Sequence, residues 1–331
     1  MKKVSVIIPV YFEEEVVSEC YKRLKEVFTN LEKYEYEFIF VDDGSRDRTL
    51  EILEKIAYVD KNVKIISFSR NFGHQAAVQA GLEDSTGDAV VIIDSDLQDP
   101  PEVIVKMLEL WENGNDVIYA KRKVREGESP FKVFSAKMFY KILNNLSDVS
   151  IPRDTGDFRL ADRKVVDVIN ALPEHDKFYR GLFSWVGFKQ VPLEYDRKER
   201  FAGKTKYPLN KMIKLAKDGI FSFSTKPLKF VNRLGVISIV ISICILIYSL
   251  VSFIFDLNSL TPGWTSIMVT ITFFAGVQLI SLGMIAEYIG RIYEESKGRP
   301  IYIVNKKINF EEELEWNYYY ILVVHHVVCI A

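Results

Sequence analysis

Short apolar runs alternate with helical patterns along the first part of the chain. The runs are rich in β-branched and aromatic residues and occupy residues 3–10, 38–41, 90–93 and 117–120. Such runs, with few polar interruptions, are typical of strands buried on both faces of a parallel sheet. A helix is predicted to open at the acids that begin with Glu13. The alternation of strand and helix patterns predicts an α/β fold.

Two much longer apolar runs lie near the C-terminus, at residues 234–255 and 264–286. Neither contains a charged residue, and each exceeds the ~20 residues that a bilayer-spanning helix needs. The connection between them is short and contains Pro262 and Gly263. A pair of buried core helices could have this length, but soluble helices normally present a polar face. The pattern therefore predicts a two-helix transmembrane hairpin.

The formal net charge of −2 does not indicate a class of partner, but the distribution of charge along the chain does. Residues 197–233 carry eleven basic and two acidic residues, and a second basic cluster follows the second apolar run. The positive-inside rule then places both ends of the hairpin in the cytoplasm. Residues 209–230 are both basic and aromatic, which favours amphipathic helices on the membrane surface over a solvated charged helix.

Acidic residues follow the predicted strands directly. Asp94 and Asp96 come after residues 90–93, and Asp42 ends the strand that begins at Phe38. In an open α/β sheet, ligands bind beyond the carboxyl ends of the strands, so these side chains are site candidates. Two carboxylates at this spacing suit Mg²⁺ or Mn²⁺, although an isolated Asp-x-Asp is more typical of a solvated turn.

Five motifs occur together and in a characteristic order: SVIIPVYFEEE, VDDGSRDRT, SRNFGHQAAVQAG, IDSDLQDPPE and TGDFRLADRK. In these motifs the chain resembles the family 2 glycosyltransferases that use nucleotide-diphospho-sugars, over about residues 1–230. It is most similar to the subgroup that acts on polyprenyl phosphates. The resemblance implies a GT-A domain with a Rossmann-like mixed sheet. The Gln-x-x-Arg-Trp motif of the processive branch is absent from the sequence, which disfavours polymer synthesis.

Taken together, these patterns divide the chain into four parts. They are a GT-A catalytic domain (1–208), amphipathic juxtamembrane helices (209–230), a transmembrane hairpin (231–291) and a cytoplasmic C-terminal tail (292–331). The three cysteines show neither pairing nor metal-ligand spacing, in agreement with a reduced catalytic domain that faces the cytosol. We therefore expect a multi-pass protein of the cell (inner) membrane.

The resemblance assigns roles on the donor side. The nucleoside pocket would be lined by Pro9, Tyr11, Glu13 and Asp42. Asp94 and Asp96 would hold the metal ion, with Asp96 also counted as catalytic. The remaining donor contacts are expected from Arg70 in a glycine turn, from Gln98, and from a basic loop that contains Arg200 and Lys206. Asp99 is expected to cap the helix that begins near Pro100.

On the acceptor side, the resemblance places the general base at Asp157. A phosphate monoester is already largely ionised near neutral pH, so Asp157 would chiefly orient the attack or hold Arg159. Alternatively, Asp157 is a loop cap and Arg159 its ion-pair partner. The acceptor phosphate calls for cations near the membrane, and the candidates are Arg122, Lys132, Ser135 and Lys137.

These expectations describe a membrane-attached inverting glycosyltransferase. It would move one sugar, with UDP-glucose as the favoured donor, to a polyprenyl phosphate in the lipid bilayer. Transfer to another lipid or to a growing glycan is an alternative, as is an inactive membrane assembly partner. No nucleic-acid partner is expected. The protein is expected to form a homo-oligomer, for example a tetramer.

Overall fold

A computed structural model describes residues 1–123, 152, 155–175, 177–196, 224, 226–254 and 263–310. Eight strands and eight helices lie within these residues. The strands are β1 (Lys2–Val10), β2 (Tyr34–Asp42), β3 (Val63–Phe68), β4 (Ala89–Ile92), β5 (Val117–Arg122), β6 (Thr155–Asp162), β7 (Gln190–Tyr195) and β8 (Val304–Ile308). The helices are α1 (Val17–Thr29), α2 (Thr49–Val59), α3 (His74–Glu83), α4 (Val103–Glu112), α5 (Arg163–Asn170), α6 (Tyr179–Trp185), α7 (Lys226–Ile254) and α8 (Trp264–Ser296).

All eight strands form one mixed sheet in the order β7-β5-β6-β4-β1-β2-β3-β8. Strands β4, β1, β2 and β3 are parallel neighbours, whereas β6 runs antiparallel to both β4 and β5. The chain leaves β1 toward β2 on one side and later returns to place β4 on the other side. This reversal of strand order at β1 opens a crevice at the carboxyl ends of the strands. The predicted α/β class and mixed sheet are confirmed.

Alternating side chains of β1 bury the two faces of the sheet. Val6 and Ile8 face the core that α1, α2 and α4 cover, whereas Ile7 faces the core of α3, α5 and α6. Both cores are filled by aliphatic and aromatic side chains with almost no exposure. A sheet covered by helices on both faces explains why its strands appear as continuous apolar runs in the sequence.

One carboxylate, Glu37, is buried between β1, β2 and the start of β4. Its oxygens accept hydrogen bonds from Ser5 Oγ (2.6 Å) and Thr86 N (2.8 Å) and pair with Lys3 Nζ (2.8 Å) and Lys64 Nζ (3.0 Å). Burial alone would raise the pKa of Glu37, but these partners lower it to about 2. The group therefore joins three segments at the edge of the sheet where β1 begins.

The long helices α7 and α8 contact each other and carry exposed apolar side chains. In the part of the chain that the structure describes, one helical segment, Val269–Ser296, is long and apolar enough to cross a membrane. The predicted span at residues 264–286 falls largely within it. The predicted first span is helical up to Ile254, but a two-helix hairpin is not confirmed. Residues 209–223, predicted to be amphipathic, lie outside the described residues.

After α8 the chain returns to the catalytic sheet as β8, which pairs antiparallel with β3. Two lysines of β8 form ion pairs with α2 and with the end of α3. Lys306 Nζ lies 2.7 Å from Glu54 of α2, and Lys307 Nζ lies 2.7 Å from Asp84, which follows α3. Asn309 donates hydrogen bonds to the carbonyl oxygens of Ala57 (2.7 Å) and Val63 (2.8 Å). No strand is predicted from the sequence of this tail, so β8 is a structural finding.

Candidate functional site

The expected nucleoside residues meet at the carboxyl edge of β1 and β2. Pro9 and Val10 of β1 lie beside Val41 and Asp42 of β2. Asp42 is fully buried, and its carboxylate accepts hydrogen bonds from Ser45 N (3.1 Å) and Ser67 Oγ (3.0 Å). The chain therefore fixes this carboxylate at the floor of the crevice.

The segment after β1 follows the same edge. Phe12 adopts a positive φ of 55°, and its N–H donates to Ser45 Oγ at 3.1 Å. The rings of Tyr11 and Phe12 lie 4.4 Å apart, and Glu13 N donates to Thr49 Oγ1 at 2.9 Å. Residues 11–13 are thus tied to the segment that follows Asp42, since Ser45 also donates to Asp42. The contacts of Tyr11 and Glu13 with a nucleoside stay a prediction.

The glycine turn that contains Arg70 is held by Asp43. The carboxylate of Asp43 accepts hydrogen bonds from Asn71 Nδ2 (2.8 Å), Phe72 N (2.6 Å) and Gly73 N (2.9 Å). The backbone of Arg70 packs so closely against Gly44, at φ 71°, that a Cβ there would lie 2.5 Å from the Arg70 carbonyl carbon. Asp43 therefore fixes the shape of the glycine turn that contains Arg70.

Asp94 and Asp96 follow β4 at the centre of the crevice. Asp96 Oδ1 accepts the N–H of Gln98 at 3.1 Å, and the intervening Leu97 is buried with a positive φ of 58°. Asp94 keeps a third of its side chain exposed. Partial removal from solvent raises the pKa of Asp94 to about 6, with neighbouring carboxylates adding to the rise and His74 opposing it. Such a crowded carboxylate is stabilised by a cation.

The donor set fits a divalent metal ion that is shared with a ligand. Among the described residues, no group of three or more His, Cys, Asp or Glu side chains is arranged to enclose a metal ion. Two carboxylates leave coordination positions open, and Mg²⁺ commonly fills such positions with phosphate oxygens and water. Asp94 and Asp96 therefore fit a metal that binds together with a diphosphate.

Asp157 of β6 faces the same crevice and is held by two cationic side chains. Arg180 Nε and Nη2 donate to the two oxygens of Asp157 at 2.8 and 2.9 Å. His74 Nε2 lies 3.2 Å from Asp157 Oδ2 and 3.8 Å from Asp94 Oδ1. His74 therefore stands between the carboxylate expected on the acceptor side and one of the metal-ligand candidates.

Opposing effects set the pKa values of this pair. Burial alone would raise the pKa of Asp157, but the charge of Arg180 and the adjacent His74 hold it well below its usual range. Burial alone would lower the pKa of His74, whereas the adjacent carboxylates of Asp157 and Asp94 raise it to about 8. Asp157 is accordingly a weak proton acceptor in this arrangement.

The alternative prediction, that Arg159 is the ion-pair partner of Asp157, is wrong. Arg159 donates instead to the backbone oxygens of Asp157 (3.2 Å) and Gly156 (3.0 Å), and its guanidinium lies 4.6 Å from the ring centroid of Phe183. Arg180 takes the ion-pair role. No sequence motif marks Arg180, which approaches β6 only because α6 packs across the sheet.

The expectation that Asp99 caps a helix is also wrong. Helix α4 begins at Val103, and no side chain caps its N-terminus. Asp99 is fully buried and accepts a hydrogen bond from the hydroxyl of Tyr195. Arg122 Nε donates in turn to the Tyr195 hydroxyl at 3.4 Å. Arg122, predicted to bind the acceptor phosphate, thus lies in a network beneath the crevice.

Two of the remaining predicted residues are described by the structure, and the others are not. Gln98 is buried next to Asp96 and Asp99, and Arg70 is exposed with its guanidinium stacked 3.9 Å from the ring centroid of Phe72. The others lie outside the described residues: Lys132, Ser135, Lys137, Arg200 and Lys206.

Comparison with known proteins identifies the family of the chain. The model of the family described as Glycosyl transferase family 2 matches residues 5–169. The uncharacterized glycosyltransferase YkcC of Bacillus subtilis is 51% identical over 93% of this chain and 95% of its own length. An uncharacterized glycosyltransferase of Synechocystis is 47% identical over 92% and 95%. The bactoprenol glucosyl transferase of Shigella phage SfX is 43% identical over 92% and 99%. The mixed sheet is that of a GT-A domain, and the chain belongs to glycosyl transferase family 2.

Proposed function

We propose that this glycosyltransferase moves glucose from UDP-glucose to a polyprenyl phosphate, with inversion at the sugar carbon. The observation that carries the proposal is the similarity over nearly the whole chain to a protein named bactoprenol glucosyl transferase. The apolar segment Val269–Ser296 supports it, because a polyprenyl acceptor resides in a lipid bilayer. The acids at the carboxyl edge of the sheet support a nucleotide-diphospho-sugar as donor.

In the reaction, an oxygen of the acceptor phosphate attacks C1 of the sugar from the face opposite the nucleotide. The bond between C1 and the diphosphate oxygen breaks, and its electron pair leaves with the nucleoside diphosphate. The attacking phosphate is already largely ionised near neutral pH, so no proton has to be removed. The low pKa of Asp157 is compatible with this chemistry, because the carboxylate need not act as a strong base.

Donor binding would use the residues gathered at the carboxyl edge. Asp94 and Asp96 would hold Mg²⁺ or Mn²⁺, which supplies positive charge for the departing diphosphate. Asp42, at the floor of the crevice, accepts hydrogen bonds and would contact the base or the ribose. Pro9, Tyr11 and Glu13 would complete the nucleoside pocket. The diphosphate and sugar would be contacted by Arg70, Gln98, Arg200 and Lys206.

The membrane part of the proposal is a hairpin with spans at residues 234–255 and 264–286 and with both ends in the cytoplasm. The exposed apolar side chains of α7 and α8, and the contact between these helices, support it. The catalytic domain (1–208) would then lie on the cytoplasmic side of the membrane, where nucleotide sugars are made. Association into a homo-oligomer stays a prediction.

A direct assay tests the function. Full-length protein in detergent would be incubated with Mg²⁺, a short-chain polyprenyl phosphate and each of a panel of UDP- and GDP-sugars. We expect a lipid-linked product with UDP-glucose and with no GDP-sugar. A product with a diacylglycerol acceptor but not with polyprenyl phosphate would overturn the acceptor assignment. The absence of any sugar transfer would favour an inactive assembly partner.

A further inference from the structure

The acceptor carries a phosphate with nearly two negative charges into a crevice that is already acidic. Asp94, Asp96 and Asp157 all face this crevice, and Asp99 lies beneath it. An anionic acceptor therefore requires a cation on its own side, apart from the metal ion that serves the donor. The cations that contact Asp157 in the described part of the chain are His74, Arg159 and Arg180, and the three differ in what they can reach.

Two of these cations are less suited to contact the acceptor, because of their burial or their position. Arg159 is buried, donates to two backbone carbonyl oxygens and stacks on Phe183. His74 lies between Asp157 and Asp94, on the donor side of the crevice. Arg180 is different, because a quarter of its side chain (26%) is exposed while its guanidinium remains fixed in two hydrogen bonds to Asp157.

The backbone at Arg180 is also held in place by the packing of its neighbour. The preceding residue, Tyr179, is buried in the core of α3, α5 and α6, and its N–H donates to Gln75 Oε1 at 3.1 Å. The backbone of Arg180 is therefore tied to the start of α3, and Asp157 sets the plane of its guanidinium. A planar guanidinium held in one orientation is well suited to phosphate recognition.

We propose that Arg180 binds the phosphate of the polyprenyl acceptor, and that Asp157 acts as a positioning residue that orients Arg180. This inference rests on the proposed function and adds an acceptor contact that no sequence motif indicates. It also explains why a carboxylate that is poorly suited to remove a proton lies in the acceptor half of the site. The chemical group recognised is a phosphate monoester at the end of an isoprenoid chain.

The experiment compares an isoprenyl phosphate with the alcohol of the same chain length. Full-length wild type, Arg180→Met, Arg180→Lys, Asp157→Asn and the double variant Arg180→Met/Asp157→Asn would be assayed in detergent. Binding of geranylgeranyl phosphate and of geranylgeraniol would be measured alongside KM and kcat. Arg163→Met is the matched control, because Arg163 is also 26% exposed but donates to Gly87 O and Ser85 Oγ at the opposite edge of the sheet.

We expect Arg180→Met to raise KM for the isoprenyl phosphate about 10- to 100-fold, the range for loss of charged hydrogen bonds. KM for the nucleotide sugar should stay within about 2-fold. Arg180→Lys should recover part of the loss, because it keeps the charge but not the planar fork. Asp157→Asn should raise KM for the isoprenyl phosphate much less in the Arg180→Met background than in the wild type, since Asp157 acts through Arg180. Arg163→Met should behave as wild type.

Two results would overturn the inference. One is a preference for phosphate over alcohol that survives in Arg180→Met or is missing from the wild type. The other is an increase in KM from Asp157→Asn that is equal in the wild type and in Arg180→Met. That result would show that Asp157 acts on the acceptor independently of Arg180. Failure of the proposed function is distinct, because it would be seen as a wild type that binds the isoprenyl phosphate but forms no lipid-linked sugar.

Discussion

His74 Nε2 lies 3.2 Å from Asp157 Oδ2, so the first residue of α3 is joined to strand β6 across the crevice. The same nitrogen lies 3.8 Å from Asp94 Oδ1. One imidazole thus connects a metal-ligand candidate with the carboxylate of the acceptor half. Since both partners are acids, His74 is stabilised in its protonated form.

The first prediction concerns this histidine in the metal-free protein. The pKa of His74 is raised from 6.5 in the unfolded chain to about 8 in the folded one. The stabilisation is therefore fully present below about pH 6.5 and is lost as pH rises through 8, with a total of about 2 kcal/mol. The difference in free energy of unfolding between wild type and His74→Gln should shrink between pH 6 and pH 9. His175→Gln serves as the control, and parallel pH curves for wild type and His74→Gln would contradict the prediction.

The second prediction concerns the metal ion. Asp96→Asn should reduce sugar transfer by orders of magnitude, because the charge that holds the cation against the diphosphate is lost. Chelation with EDTA should abolish transfer reversibly. Binding of Mn²⁺ in the presence of UDP, followed by electron paramagnetic resonance, should weaken in the same variant. Asp167→Asn, at an exposed position of α5, is the control. Full activity in EDTA would exclude the metal assignment.

The third prediction uses the buried carboxylate of Glu37. Its pKa is lowered from 4.5 to about 2 in the folded protein, so it stabilises the fold above pH 4.5. This contribution, about 3 kcal/mol by linkage, is lost as pH falls toward 2. Glu37→Gln should therefore destabilise the protein at pH 7 and flatten its acid unfolding curve. Glu35→Gln, on the same strand but exposed, should leave both unchanged. An unaltered acid limb in Glu37→Gln would refute the assignment.

The fourth prediction tests the return of the chain to the sheet. Asn309 has a positive φ of 61° and donates two hydrogen bonds to backbone oxygens of the α2–β3 region. Asn309→Ala should destabilise the catalytic domain by about 2 to 3 kcal/mol, from lost hydrogen bonds and a disfavoured backbone conformation. Asn309→Gly removes only the hydrogen bonds and should cost about 1 kcal/mol less. Equal melting temperatures for both variants and the wild type would show that the end of β8 contributes nothing.

The fifth prediction concerns topology. Single cysteines at Ser259 and Lys306, in a chain whose three native cysteines are replaced by serine, would be labelled with an impermeant thiol reagent. Ser259 should react from outside the cell, and Lys306 only after permeabilisation. Lys306 is suited to labelling because half of its side chain (51%) is exposed. The reverse pattern would place the nucleotide-sugar site on the side where its donor is absent, and the proposed function would fail.

The local features were predictable from the sequence, and the reason is physical. Strands β1, β2 and β4 are buried on both faces, which requires uninterrupted apolar runs. Asp42, Asp94 and Asp96 follow those runs directly, and parallel strands that share a sheet must end at the same edge. The two apolar segments near the C-terminus are equally visible, although only Val269–Ser296 is long and apolar enough to span a membrane in the part of the chain that the structure describes.

Contacts between distant segments could not be predicted in this way. Arg159 is the nearest arginine to Asp157 along the chain, yet Arg180 forms the ion pair because α6 brings it across the crevice. Asp99 precedes a helix as a capping residue would, yet it is buried against Tyr195 of β7.

By itself, then, the sequence determined the α/β class, the positions of the strand-end acids and the apolar segments near the C-terminus. Each of these depends on residues that are close together in the chain. Only the tertiary structure decided which cations hold Asp157 and that β8 completes the edge of the sheet. Ion-pair partners and edge strands have no periodic signature, because their energy depends on how separate elements pack rather than on local spacing.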